Sequence, residues 1–182
     1  MSTFAKLNPQ ARQNLGVLFT AGLLFWSSLA SLLPTLPLYV KSIGAADDQL
    51  GIVMGAFAIG LLMFRPRAGK MADNQGRKLV LMIGISVAAI APLCHLLTQS
   101  IPLLILVRAF HGISIAAFTT AYSSLVVDIA PPENRGELIG YMSLVNPIGM
   151  ALGPAMGGFL QELTSYAPVF LLSSALGSLS LF

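Results

Sequence analysis

Arg108 is the side chain in this sequence whose chemistry most needs explaining. It stands about six residues inside an apolar run, 102–127, where a charge costs several kcal/mol on even the gentlest insertion scale. At the helical period, positions 108, 111, 112, 115, 116 and 119 share one face. Arg108, His111, Gly112, Ala116 and Thr119 therefore form a polar, small-residue stripe in RAFHGISIAAFTTAYSS. Such a stripe belongs against a water-filled cavity or another helix, not lipid; the alternative for Arg108 is a side chain that snorkels to the outer interface. An arginine keeps its proton, so Arg108 offers a fixed cation for an anionic group or a field that lowers the pKa of a nearby carboxylate. His111 is able to titrate, although a histidine beside an arginine is more often neutral and hydrogen-bonded. The other chemistry-bearing residues are sparse. All seven Asp and Glu residues lie at loops or at the ends of apolar runs. Cys94 is the one cysteine, and Cys94, His95 and His111 have no metal-ligand spacing in the local sequence. An enzymatic reading finds neither paired acids nor an activated nucleophile.

The elements that must hold this arginine are set by composition. Hydrophobic residues make up 55% of the 182 and charged residues 9%, with a mean hydropathy of +0.81; soluble domains carry roughly 25% charge. The chain lacks the charge to coat a water-facing surface, so the lipid bilayer is its expected partner. Six apolar runs follow one another at about 15–40, 50–64, 79–97, 102–127, 138–160 and 167–182. In lipid each must be helical, because every backbone polar group has to be satisfied internally. The second run is short as drawn and is expected to extend to Ala68 or beyond, across Pro66. The sixth has 16 residues, roughly 24 Å of helix at ~1.5 Å per residue, short of a comfortable crossing. The chain reads as stopping inside a helix. The first run is too long for a signal-peptide core and reads as a retained span.

The basic residues orient these runs. Lys6, Arg12, Arg65, Arg67, Lys70, Arg77, Lys78 and Arg135 all fall on one side if the runs alternate, while Lys41 alone falls on the other. The positive-inside rule makes the first side, with the N-terminus, cytoplasmic. The +3 net charge therefore reflects membrane topology and does not point to a nucleic-acid partner. Topology alone leaves part of the loop GKMADNQGRK unexplained, since lysines in any order would satisfy it. Gly69 permits close approach and Gly76 a tight turn, and Asp73 can accept hydrogen bonds at a helix end or pair with Arg77.

This loop resembles the signature of the major facilitator superfamily, G-x-L-a-D-r-x-G-r-[KR]. Gly69, Asp73, Gly76, Arg77 and Lys78 fall on it, while Met71 replaces the usual Leu and Asn74 the usual basic residue. Three further stretches resemble the same family. The Arg108 stripe is similar to its fourth-helix pattern, R-x-x-q-G-x-g-a-A, with His111 where Gln is frequent. DIAPPENRGELIG carries Asp128, Pro131, Arg135 and Gly136 in its D-x-x-P-x-x-x-R-G arrangement. In GMALGPAMGG, Gly149, Gly153 and Gly157 recur every four residues on one face, with Pro154 bending the helix and Gly158 following. As G-x-x-x-G-P-x-x-G-G this last stretch resembles the fifth-helix signature typical of the superfamily's antiporters.

The resemblance implies an all-α membrane protein. Its six transmembrane helices would form one half of a major facilitator fold, a 3+3 inverted repeat. Residues 1–182 would be the N-terminal six-helix bundle of a secondary transporter, with the C-terminal half missing as partner. The implied activity is export of small organic molecules across the cell membrane by proton antiport and alternating access. A facilitator, a symporter or a non-transporting fragment are the alternatives. No cofactor and no metal is implied. Asp73, Arg77, Lys78, Asp128 and Arg135 would form a charge network, a latch at the cytoplasmic mouth. Arg108, His111 and Gly112, with Trp26, Ser27, Ser31, Tyr122 and Asn146, would line the substrate or proton path. The first-helix serines are equally suited to bonding back to their own backbone. Protons would bind a carboxylate in the missing half, or His111.

Overall fold

A computed structural model describes residues 7–181. Lys6, one of the orienting cations, and Phe182, the last residue of the sixth run, lie outside the described residues. Helix α1 spans Pro9–Ser42. Its start is fixed by the Asn8 side chain, whose Oδ1 accepts from the Ala11 N–H at 2.7 Å, and by Pro9, which lacks the amide that the first turn would leave bare. Helix α2 spans Asp47–Gln75. Two aspartates in its first turn complement the helix dipole, and Gln49 Oε1 accepts from the Ala46 N–H at 3.1 Å. The helix runs through Pro66, as the sequence led us to expect, and stops at Gly76, whose φ of +100° a side chain would strain. Helix α3, Arg77–Leu96, begins at the next residue. Helix α4, Ile101–Ile129, ends where Pro131 leads into a short 3₁₀ turn at Pro132–Asn134.

The fifth apolar run divides in two, α5 at Arg135–Ser143 and α6 at Val145–Leu163. Leu144 between them keeps helical dihedrals, so Pro132–Leu163 still reads as one apolar span. Helix α7, Tyr166–Leu179, follows. The expectation of six spans is met only in part. Five segments are long and apolar enough to cross a membrane, whereas α7 has 14 residues. At ~1.5 Å per residue that is about 21 Å, against a hydrocarbon core of ~30 Å. Among the described residues every regular element is helical.

The helices pair in a pattern that interleaves the two halves of the chain. α2 packs mainly on α4, α6 on α1, and α3 on both α4 and α7, with α7 also against α1. Exchanging the first three long helices with the later ones maps the α2–α4 contact onto the α6–α1 contact. Without a hydrophobic drive between helices in lipid, small residues and van der Waals fit must hold such pairs. Gly112 lies against the Phe57 backbone and Gly60 against the Ala109 backbone, so α2 and α4 meet main chain to main chain. The core divides by height. At the end bearing Arg77, here the basic end, Leu15, Leu18, Val80, Val126 and Leu138 pack together. At the far end Leu36, Tyr39, Val53, Leu104 and Phe170 do the same. Leu62, Met63, Leu106 and Phe159 point outward, exposed, which suits a surface whose solvent is lipid.

Candidate functional site

Three polar centres stand out against this apolar background, and each joins elements distant in sequence. The first surrounds Arg108. Its side chain is buried, with the guanidinium over the Phe57 ring of α2 at 4.5 Å from the centroid. One turn on, the fully buried His111 ring meets the same Phe57 edge-on, centroids 5.6 Å apart. His95 of α3 lies 5.8 Å from His111, ring to ring, and 5.9 Å from Phe170 of α7. Its Nδ1 is 2.7 Å from the Ala91 carbonyl oxygen. Gly112 on the same face is occupied by the contact with α2, and the Thr119 hydroxyl donates to its own helix at Ile115. The polar stripe of α4 thus turns into the bundle.

The second centre is the glycine face of α6. A Cβ placed on Gly149 would lie 2.5 Å from Trp26 Cβ, and one on Gly153 2.5 Å from Ala30 Cβ and 2.7 Å from the Ser27 carbonyl oxygen. One on Gly157 would overlap the Ser31 carbonyl. The three glycines therefore lie directly on the backbone of α1 between Trp26 and Ser31. Gly158 is off this seam, its nearest neighbour Pro34 at 3.9 Å, and Pro154 is half-buried. Ser27 and Ser31 are buried along the seam, and Ser31 donates to the Ser28 carbonyl at 2.7 Å, bonding back to its own helix. Trp26 is half-buried, its ring edge-on to Phe25 at 5.6 Å.

The third centre is at the basic end. Arg77, the first residue of α3, donates to the Ser124 carbonyl at 2.9 Å and forms an ion pair with Asp128, tying the α2–α3 junction to the last turns of α4. Asp73, Lys78 and Arg135 are exposed at the same end, Gly69 is half-buried, and Gly76 makes the turn. Tyr122 is buried further in, stacked on Phe118 at 5.0 Å, with its hydroxyl donating to the Met142 carbonyl at 3.2 Å. Asn146 is half-buried near the start of α6.

Sequence reasoning passed over two features. His95 was set aside because 16 positions separate it from His111, yet the fold brings the rings together. The signal was present: an ionisable residue within an apolar run is a functional candidate by default, and His95 lies in the run 79–97 just as Arg108 lies in 102–127. The second is a reciprocal pair between α1 and α7. Ser28 donates to the Ser173 carbonyl at 2.7 Å and Ser173 to the Ser28 carbonyl at 2.8 Å. Among the described residues no group of three or more His, Cys, Asp or Glu side chains is placed to hold a metal ion.

Residues 18–182 match the family model described as Major Facilitator Superfamily. The quinolone resistance protein NorA of Staphylococcus aureus is 30% identical over 164 residues, covering 90% of this chain and 42% of that protein. Multidrug resistance protein 1 of Bacillus subtilis is 28% identical over 156 residues, covering 86% of this chain and 40% of that one. The chain thus spans about two-fifths of the length of these curated relatives. Among solved structures, the human organic anion transporter MFSD10 superposes over 96% of this chain and 47% of its own, with a TM-score of 0.77 at 22% identity. The inward-open xylose transporter XylE from E. coli covers 94% and 47%, with a TM-score of 0.79 at 17% identity.

Proposed function

The chain belongs to the Major Facilitator Superfamily, and from that premise we propose that it forms the N-terminal part of a proton-coupled exporter of small organic molecules. It is a multi-pass membrane protein of a transporter family and not an enzyme. The observation that carries the export reading is the α6 seam. Gly149, Gly153 and Gly157 lie on the α1 backbone with no side chain between the helices. A seam of this kind fixes α1 and α6 at main-chain distance, so they move as one body. Alternating access needs such a unit, since one half rocks against the other around a site near the midplane. The quinolone resistance named in NorA and the multidrug resistance named in the Bacillus protein support the outward direction and a drug-like substrate class. The interchange of the α2–α4 and α6–α1 pairings supports a 3+3 repeat, with α7 as its sixth member and a second bundle as its partner.

In this proposal the basic end is cytoplasmic, and its clasp closes that side in one state. Arg77, held between Ser124 and Asp128, anchors the clasp. Asp73, exposed on the last turn of α2, is the group that engages the partner bundle. Asp73→Asn in the transporting protein is then expected to weaken the outward-open state. Unchanged transport, with unchanged cysteine accessibility from the two sides, would remove the latch.

A second reading, a facilitator without proton coupling, is favoured by one observation. The seven carboxylates lie at helix ends and turns, Asp47 and Asp48, Asp73, Asp128, Glu133, Glu137 and Glu162, so the spans hold no acidic proton carrier. Proton antiport then rests on His95 and His111 here or on carboxylates of the partner bundle. Vesicles carrying the transporter separate the readings. Antiport predicts uphill substrate movement when a pH gradient is imposed, and a facilitator only equilibrates substrate.

A further inference from the structure

Between Ser143 and Val145 the fifth apolar run passes from α5 to α6 through Leu144. The cause of the break lies three residues beyond Leu144. Pro147 has no N–H for the Ser143 carbonyl four positions back, and its ring crowds that oxygen. Ser143 adds to the disturbance, since its hydroxyl donates to the Ile139 carbonyl at 2.7 Å, a back-bond of the kind that bends helices. The Leu144 N–H donates to Tyr141, three residues back, at 3.1 Å, which tightens the last turn of α5. A helix interrupted in this way bends there at less cost than elsewhere.

The two sides of the break are held differently. Beyond it, α6 lies on the α1 backbone through Gly149, Gly153 and Gly157. Before it, α5 buries only Leu138 and Met142, while Arg135, Gly136, Ile139 and Gly140 are exposed. A polar contact from α4 closes on the break itself, where the Tyr122 hydroxyl donates to the Met142 carbonyl at 3.2 Å. The tyrosine ring is seated firmly. A Cβ on Gly22 of α1 would lie 3.0 Å from Tyr122 Cε2 and 3.0 Å from Val145 Cγ2, so Gly22 makes room for both the ring and the start of α6. Phe118 stacks on the Tyr122 ring at 5.0 Å and on Phe25 of α1 at 3.7 Å between centroids, which fixes the plane of the ring. The hydroxyl therefore reaches the break from a rigid mount shared by α1 and α4.

We propose that the α5–α6 break is a joint and Tyr122 its bolt. With the Tyr122–Met142 hydrogen bond made, α5 is held in line with α6; with it broken, α5 swings as a lever while α6 stays on α1. The inference rests on the transporter reading only for what the lever serves, the opening and closing of the basic end to which Arg135 and the Pro132–Asn134 turn belong. Tyr122 is then a positioning residue, and its test is a distance. The purified chain in lipid nanodiscs, with Cys94→Ala, carries spin labels at Gly16→Cys and Gly136→Cys, where an added Cβ meets nothing within 4 Å. A second pair, Gly16→Cys with the exposed Met150→Cys, reports on α6.

The parent chain should give one narrow distance for each pair. Tyr122→Phe removes the hydroxyl and keeps the ring. Loss of that hydrogen bond should raise the population at a second Gly16–Gly136 distance about fivefold and leave the Gly16–Met150 distance alone. Adding Pro147→Ala, which gives the Ser143 carbonyl a donor again, should remove the second distance. An unchanged Gly16–Gly136 distribution in Tyr122→Phe overturns the bolt. A second distance that appears at Met150 as well, or that survives Pro147→Ala, overturns the joint. If Tyr122→Phe lowers helix content, as circular dichroism would report, Pro147→Ala alone decides. It should narrow the Gly16–Gly136 distribution, and an equal width overturns the joint. Quinolone efflux that persists in the transporting protein while these distances stay fixed would sink this inference and leave the transporter reading standing.

Discussion

Replacing Gly153 by alanine tests whether the α6–α1 seam holds the fold as its geometry says. The added methyl would lie 2.5 Å from Ala30 Cβ and 2.7 Å from both the Ser27 oxygen and the Ser31 nitrogen. Carbon atoms pack at about 3.5–4.0 Å, so α6 must retreat by roughly 1 Å along that contact. Two of the three near atoms are main chain, so α1 cannot give way by turning a side chain. Overpacking of this kind costs ~1–3 kcal/mol, more where backbone must move, and alanine returns ~1 kcal/mol of helix propensity over glycine. The net expectation is a loss of about 2 kcal/mol, a roughly 30-fold fall in the folded-to-unfolded ratio. Gly158→Ala is the matched control. Its nearest neighbour would be 3.9 Å away, so it should be neutral or slightly stabilising. Trp26, the single tryptophan, borders Gly149 in the same seam, so its emission reports unfolding in mixed micelles from the place perturbed. Equal stability of the Gly153 and Gly158 variants, with unchanged Trp26 emission, would refute the seam.

Two further outcomes follow from local contacts. In a double-mutant cycle on Ser28→Ala and Ser173→Ala, the reciprocal hydrogen bonds should give a coupling of about 0.6–1.7 kcal/mol. Additivity within error would mean the two hydroxyls act separately. At the α1–α2 turn, the hydrogen bond from the Lys41 ammonium holds the Asp47 carboxyl below the usual carboxylate range. A depressed folded-state value gives stability that is present above the unfolded value and lost as pH falls through the folded one. A small drop in unfolding midpoint below pH ~4 is therefore expected in the wild type, and Lys41→Met should reduce it.

The sequence showed clearly whatever depends on local chemistry. The apolar runs located the helices, and Gly76, read as a tight turn, marked the junction of α2 with α3, because glycine takes its backbone angle without strain. The same pattern left α5 and α6 undivided, since Leu144 keeps helical dihedrals and leaves no compositional mark. Rotational phase between helices was beyond it. A 3.6-residue period placed Arg108, His111 and Gly112 on one face, but which helix that face meets depends on how α2 and α3 are turned. His95 therefore went unnoticed as a neighbour, and Phe57 as the ring beneath both basic groups. The glycine face of α6 was plain from its spacing. Its partner, the backbone of α1 from Trp26 to Ser31, became visible only once the two helices were placed together.

The most direct test of the account is efflux itself. The longest open reading frame containing this chain is expressed in cells stripped of their own efflux pumps, and accumulation of a fluorescent quinolone is followed before and after a protonophore. The account predicts low accumulation that rises to the level of empty cells when the proton gradient collapses. Accumulation equal to that of empty cells throughout, with the protein present in the membrane, would contradict it.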